Sequence, residues 1–509
     1  MNCSFCLGVF DILSHKKSSG ASMFKDERKP TGVFDLMGGR KAFGALDING
    51  RRSSLSLFDD QAFPPVPQGY EYLLGRLHNG ECATLVDCVL TATQGRGRKK
   101  FSASLFPNII VVGSRHLQKE TACVIELVVG FSDVNSVFYD FDAFGAVIDP
   151  APFAPLLRKD KAHIRPLDVG DNPIVGYFSG KFEIATVQCS LAEIKARHHV
   201  SETMGGPAGW ALRNKIMVAL RFECALALDE AIRRLYSLIR FFELIIGRKQ
   251  ALLTVDVRLD EQPEHEAPLR VFISHAPRRI GSKENKHESP GPNDVLLCTA
   301  RGVENYMEVV RKYFAIDAER ADARIRLGGN IRRSSYSVDR IIAAANMFDI
   351  LPDSAYPAPV RLSNELEEAR SNARKLFKSV PPSLERDSML NALGRMGDLS
   401  LKRKTLSRML SCGIDQYFPG LDLVLQEAVN CRNHYVHGSA GRIDYADNFR
   451  AVVFLTDALE FVFGVSDLID CGWNYEAWAA GSPQADHPFG AFRLGYKDNY
   501  NFFKECINK

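Results

Sequence analysis

The sequence has almost no charge excess and no long apolar run. Its 509 residues carry 64 Lys and Arg against 61 Asp and Glu, a formal net charge of +3. A protein that coats nucleic acid would be more basic, so any RNA or DNA contact must be local. No stretch reaches the roughly 18 apolar residues that span a bilayer, so no membrane segment is expected. The opening MNCSFCLGVFDIL lacks a basic region before its apolar residues and makes a poor signal peptide. Twelve cysteines are scattered without the spacing of a disulfide framework, which fits free thiols and a cytoplasmic location. Cys3 and Cys6 have no second C-x-x-C and only His15 nearby, short of the four ligands zinc requires. The Gly-rich LMGGRKAFG lacks the order of a phosphate-binding P-loop, and neither G-x-S-x-G nor H-E-x-x-H occurs. Nucleotide hydrolysis, serine-hydrolase and zinc-protease readings therefore have no support, and neither a metal nor a cofactor is expected.

What is present is ordinary for a globular protein: 46% apolar and 25% charged residues. The length leads us to expect two or more domains. Residues 1–22 read as a flexible lead-in, with Met23 as an alternative start. From Thr31 to about Asp149, FGALDI, SSLSLF, FSASLFPNIIVVGS and ACVIELVVGF are strand-length runs punctuated by turn residues. LHNGEC predicts a hairpin with a type I′ turn at Asn79–Gly80. DPAPFAPLLRKDKAHIRPLD reads as a Pro-rich surface connection. DEAIRRLYSLIRFFELIIG predicts a helix with Ile232, Leu235, Tyr236, Ile239, Phe242 and Ile246 on one face and Gly247 at its end. ALLTVDVRLD and PLRVFISH predict two more strands. The fold class expected is α+β. It comprises a β-rich, sandwich-like N-terminal domain over 23–285 with a packed helix, then an all-α bundle over 295–485 and a C-terminal tail over 486–509. The charged, Pro- and Gly-rich 276–294 marks the main boundary.

The chemistry gathers near the C-terminus, in LVLQEAVNCRNHYVHGSAG. A helix from about Leu421, with Leu421, Leu423, Leu425, Ala428 and Val429 on its buried side, runs into Arg432, Asn433, His434 and His437. Gly438 is placed to stop it. Arg432 and His437 lie about 140° apart on an ideal helix, so they share a cleft only if the Arg curls round. These side chains suit RNA cleavage. A neutral imidazole can take the proton of a ribose 2′-OH, a guanidinium can hold the scissile phosphate, and Asn433 can support either. The product would be a 2′,3′-cyclic phosphate. The spacing alone is weak, because Arg158/His163, Arg258/His265 and Arg270/His275 also satisfy it. A structural helix end is the plain alternative.

RNHYVHG in this setting resembles the HEPN superfamily, whose helical domains carry R-x4-6-H with a polar residue after the Arg. AVVFLTDALEFVFGVSDLIDCG resembles the long helix that follows the motif. GVFDLMGGRKAFGALDINGRRSSLSLF, GRLHNGECATLVDC and the DEAIRRLYSLIRFFELIIG helix are similar to the N-terminal domain of ApeA-like anti-phage proteins. The resemblance implies an RNA endonuclease of abortive infection acting as a homodimer, with Arg432, Asn433 and His437 catalytic and RNA, tRNA among the candidates, as substrate. A phage-derived trigger would bind the N-terminal domain. Ser439 stands where HEPN toxins paired with nucleotidyltransferases often carry Tyr, so such a partner is not expected.

Substrate-contact candidates are His434 beside the pair and Arg332 and Arg333 in NIRRSSY. GRGRKK, residues 95–100, and Tyr435 read more simply as surface and core. A second class of function stays open: a non-catalytic dimeric sensor or scaffold. A DNA-binding regulator fits the near-neutral charge less well.

Overall fold

The computed structural model describes residues 29–63, 69–95, 101–117, 121–161, 168–170, 173–204, 209–275, 289–333, 335–357, 362–482 and 484–508. The 1–22 lead-in with its Cys3/Cys6 pair, Arg96–Lys100 of GRGRKK and most of 276–294 lie outside these residues. The chain forms two compact units, Met1–Cys123 with Thr254–Arg278, and Val124–Leu253 with Arg279–Lys509.

The first unit opens with β1 (Thr31–Asp35), β2 (Lys41–Asp47), β3 (Ser54–Asp59), β4 (Tyr70–Leu77), β5 (Cys82–Gly95) and β6 (Phe101–Gly113). The second contains β7 (Val124–Phe131), α1 (Val134–Val137), β8 (Phe144–Ala146), α2 (Phe153–Lys161), β9 (Gly176–Phe178), β10 (Glu183–Gln188), β11 (Glu193–Met204), β12 (Trp210–Leu226) and α3 (Leu228–Ile246). The chain returns to the first unit through β13 (Leu252–Leu259) and β14 (Leu269–Ile273).

In the first unit each strand of β6–β3–β2–β1–β4–β5 pairs antiparallel with the next, and β5 pairs back onto β6. The strands expected in a sandwich-like layer thus close into a ring, which removes the exposed edges of an open sheet. Strand alternation sends Phe34, Leu46, Leu55, Leu57, Leu85 and Leu105 inward. A Cβ at Gly44 or Gly75 would collide with the Phe34 ring, so these glycines make room for it. The Asn79–Gly80 hairpin is present, but not as type I′. Gly80 has φ +86°, whereas Asp87 is the one non-Gly residue with positive φ among the described residues. Asn79 instead uses its side chain, accepting from the Glu81 N–H at 3.1 Å. A type I turn followed by a left-handed glycine gives this geometry.

In the second unit β10–β11–β12–β7 form an antiparallel sheet. The DEAIRRLYSLIRFFELIIG helix is present as α3, ended by Gly247 at φ +80°. Its Phe242 ring meets Phe131 of β7 at 5.1 Å. The connection read as Pro-rich surface contains the nine-residue α2, which exposes Phe153 and Leu156.

The remaining chain is helical: α4 (Val303–Ala315), α5 (Asp317–Ile331), α6 (Val338–Asp349), α7 (Asn364–Ser379), α8 (Leu384–Gly394), α9 (Leu401–Ser411), α10 (Leu421–His437), α11 (Phe449–Asp470), α12 (Tyr475–Ala480) and α13 (Pro488–Ile507). Nearly all of α11 from Ala451 to Leu468 is buried, as its all-round apolar sequence requires. Asp467 on α11 is clasped by Arg320 and Arg324, at 2.9 Å each, and Asp470 by Arg320 and Arg408, at 2.7 Å each. Burial works against the Asp467 carboxylate, but the two guanidiniums hold it below the usual carboxylate range.

Two boundaries differ from the sequence reading. The compact units do not part at 276–294 alone, because α3 belongs with the bundle. Phe241 of α3 packs on Tyr313 of α4 at 4.8 Å, and buried Glu243 binds Arg332, which caps the end of α5, at 2.8 Å. Residues 486–509 carry a long helix rather than a tail. Phe492 of α13 stacks on Phe461 of α11 at 4.6 Å, and Phe489 meets the same ring edge-on at 5.5 Å. Its charged residues, Lys497, Asp498 and Lys504, had obscured the apolar face.

Candidate functional site

The expected helix is α10, and Gly438 ends it at φ +67°, its N–H donating to the His434 carbonyl at 2.9 Å. Leu421, Val424, Leu425, Ala428 and Val429 are buried, and Leu423 is half-buried. This burial fixes the roll of the helix and leaves Arg432 and Asn433 half-buried and His437 exposed on its last turn.

Arg432 does curl along the helix. Its Nη1 donates to Asn433 Oδ1 at 3.0 Å and to His437 Nε2 at 3.2 Å. Because a guanidinium can only donate, His437 Nε2 is the acceptor of this contact, its lone pair turned to Arg432. Arg432 Nη2 donates to Asn346 Oδ1 of α6 at 3.1 Å. Arg432 Nε is buried and has no hydrogen-bond partner among the described residues. Three of the five N–H donors of a guanidinium are thus engaged in neutral contacts, and no carboxylate neutralises it among the described residues.

Asn346 was not anticipated. It lies in the apolar AAANMFDIL, and only the crossing of α6 with α10 brings it to Arg432. Surrounding groups anchor α6. Arg340 forks onto Glu460 at 2.8 Å for each nitrogen, and Tyr336 donates to Asp457 at 2.5 Å. Burial, and then the nearby Glu460, push the Asp457 carboxyl up to about 7. Behind the motif Glu427 accepts from Tyr445 at 2.6 Å and Asn430 at 2.9 Å. Burial lifts the Cys431 thiol to about 12, so it is an inert packing group.

The substrate-contact candidates fare differently. His434 turns from the pair: its Nδ1 meets the Ser439 carbonyl at 2.8 Å and its ring packs on Tyr435 and Tyr445 at 5.2 Å. Arg332 is not available to a phosphate in this arrangement, because Glu243, fully buried, holds it through Nε and Nη2. Burial lifts the Glu243 carboxyl above its usual range despite that contact. Arg333 is exposed, and its carbonyl accepts from Arg340 at 3.1 Å. Two of the competing spacings bring no pair together among the described residues: Arg270 pairs with Asp256, and Arg258 donates to the Pro263 carbonyl at 3.3 Å. His163 of the third lies outside the described residues. Among the described residues no group of three or more His, Cys, Asp or Glu could hold a metal ion, and no helix is long and apolar enough to cross a membrane.

A helical bundle with an Arg–Asn–His constellation on the last turn of one helix has the form of a HEPN domain. The Apea-like HEPN family matches residues 342–477, which include Asn346, Arg432, Asn433 and His437. The ApeA N-terminal domain 1 family matches residues 31–301, more than half of the chain. The chain belongs to the ApeA family. Arg332 and Arg333 fall between the two matched regions. No curated protein and no solved structure matches the chain.

Proposed function

We propose that this protein is a metal-independent RNA endonuclease of an abortive-infection, anti-phage defence system acting in the cytoplasm. The observation that carries the reading is the 3.2 Å contact between Arg432 Nη1 and His437 Nε2, with the guanidinium otherwise bound, among the described residues, only to neutral amides. An RNA phosphate entering this cleft meets an uncompensated cation, and drawing the guanidinium to the phosphate releases the His437 Nε2 lone pair that Arg432 holds. His437 removes the 2′-OH proton. The 2′-oxygen attacks the adjacent phosphorus, the bond to the 5′-oxygen breaks, that oxygen takes up a proton from the protonated imidazole or from water, and a 2′,3′-cyclic phosphate and a 5′-hydroxyl result. Arg432 stabilises the charge that grows on the phosphoryl oxygens, and Asn433 holds Arg432 in place. The reading includes a homodimer with two such pairs facing one cleft, and an N-terminal half that responds to a phage product and restrains cleavage.

The test incubates purified protein with total cellular RNA in EDTA, beside His437→Ala and Arg432→Ala, and maps 3′ ends. Cyclic-phosphate ends made by the parent and by neither variant are the expected result. Cleavage that survives both substitutions places the activity elsewhere. Silence from every form, with phage lysate added, favours the non-catalytic scaffold.

A further inference from the structure

Away from this site, the exposed face of the β11–β12 pair concentrates positive charge. Alternation puts Lys195, Arg197 and His199 on one face of β11. The register sets His199 opposite Lys215, Ser201 opposite Arg213 and Glu193 opposite Arg221, so the same face carries all three β12 cations. Arg197, His199, Arg213, Lys215 and Arg221 are exposed, whereas Ile194, Ala196, His198, Ile216, Val218 and Leu220, which point the other way, are buried.

No Asp or Glu lies between Glu193 and Glu202 on β11 or between Trp210 and Phe222 on β12. On the flanking strands Glu183 of β10 stands opposite Arg197 and Glu126 of β7 opposite Arg221, so the exposed cations with no carboxylate opposite them are Arg213 and Lys215, with His199 beside them. Glu193 is itself bound to Lys195 at 2.8 Å. Among the described residues the side chains of Arg197, His199 and Arg213 have neither an ion pair nor a hydrogen bond. β10 pairs with β11 only from Glu193 to Arg197, and β7 with β12 only from Val218 onward. Residues 198–204 and 210–217 therefore run on as a two-stranded ribbon.

The strip stands out against a chain whose net charge is only +3. Its cations recur about every 7 Å along a strand, twice the rise per residue, which suits successive phosphates of an extended polynucleotide. We propose that this face of β11–β12 binds the phosphate backbone of an RNA strand. The choice of RNA rests on the ribonuclease reading above; the electrostatic complementarity does not.

The experiment uses the full chain carrying His437→Ala, so that RNA stays uncut, and measures anisotropy of a labelled single-stranded RNA over a range of salt. Arg197→Glu with Arg213→Glu in that background is expected to weaken binding at least tenfold. Its log K against log salt slope should fall by about 1.4, at about 0.7 for each phosphate that is no longer neutralised. Arg197→Ala with Arg213→Ala should show the same slope change and a smaller fall in affinity, with circular dichroism matching the parent. Unchanged affinity and slope in both doubles overturn the proposal. So does a parent that binds anionic vesicles through this face and no RNA. Either failure leaves the cleavage test above untouched, because uncut RNA is the probe.

Discussion

Arg432 touches three groups, and each comes from a different level of organisation. Asn433 is its neighbour in sequence, His437 is five residues on along the same helix, and Asn346 comes from another helix. Asn433 and His437 were legible as an Arg-Asn-x-x-x-His string at the end of an apolar helix. Asn346 was not, because a single amide in an Ala-rich helix looks like any other polar residue until its partner is known. Asn346 holds the Nη2 end of the guanidinium, so Asn346→Ala should let Arg432 swing while leaving both proposed catalytic groups in the chain. Misplacement of a catalytic group by about 1 Å can cost on the order of 100-fold. We expect kcat on RNA to fall by roughly 10- to 100-fold with KM little changed, and Asn346→Gln to recover part of it. A lower melting temperature with normal kcat would mean that Asn346 is only structural.

At the scale of elements, α13 shows how one buried group can carry a pH response. His487 caps this helix, its Nδ1 accepting from the Phe489 N–H at 3.0 Å while Nε2 meets the Leu244 carbonyl at 3.0 Å. Burial lowers its pKa to about 4. The folded chain keeps this imidazole neutral, whereas the unfolded chain protonates it below about 6.5. Stability is therefore fully present above about 6.5 and is lost as pH falls toward about 4, by on the order of 3 kcal/mol. His487→Asn can still cap the helix but does not titrate. Its urea midpoint should fall less than the parent's between pH 7 and pH 4.5, and a parallel fall in both would remove His487 as the cause. The apolar positions of α3, α10 and α11 were readable by their period. The helix in 486–509 was missed because its polar spacing residues resemble those of an exposed end.

For the whole molecule, the ion cluster around Asp467 joins helices far apart in sequence. Arg320 and Arg324 lie on α5, Asp467 and Asp470 on α11, and Arg408 on α9. Each residue alone reads as an ordinary surface charge. Deleting one partner of a buried pair leaves the others desolvated and unpaired, which costs about 3–5 kcal/mol. Asp467→Asn should therefore lower unfolding free energy by about that amount in urea titration. A loss below about 1 kcal/mol would show that the guanidiniums find other partners.

The sequence by itself determined the α+β class, α3 and α10 with their glycine stops, and the Arg432–Asn433–His437 motif. Each of these depends on local periodicity, backbone freedom or neighbours within two helical turns. Tertiary structure decided the closure of β1–β6 into a ring, the joining of α3 to the bundle, the place of Asn346, and the capture of Arg332 by Glu243. It also gathered the cations of β11 and β12 onto one face. These depend on which surfaces meet: strand register and helix crossing bring together residues that no local pattern connects.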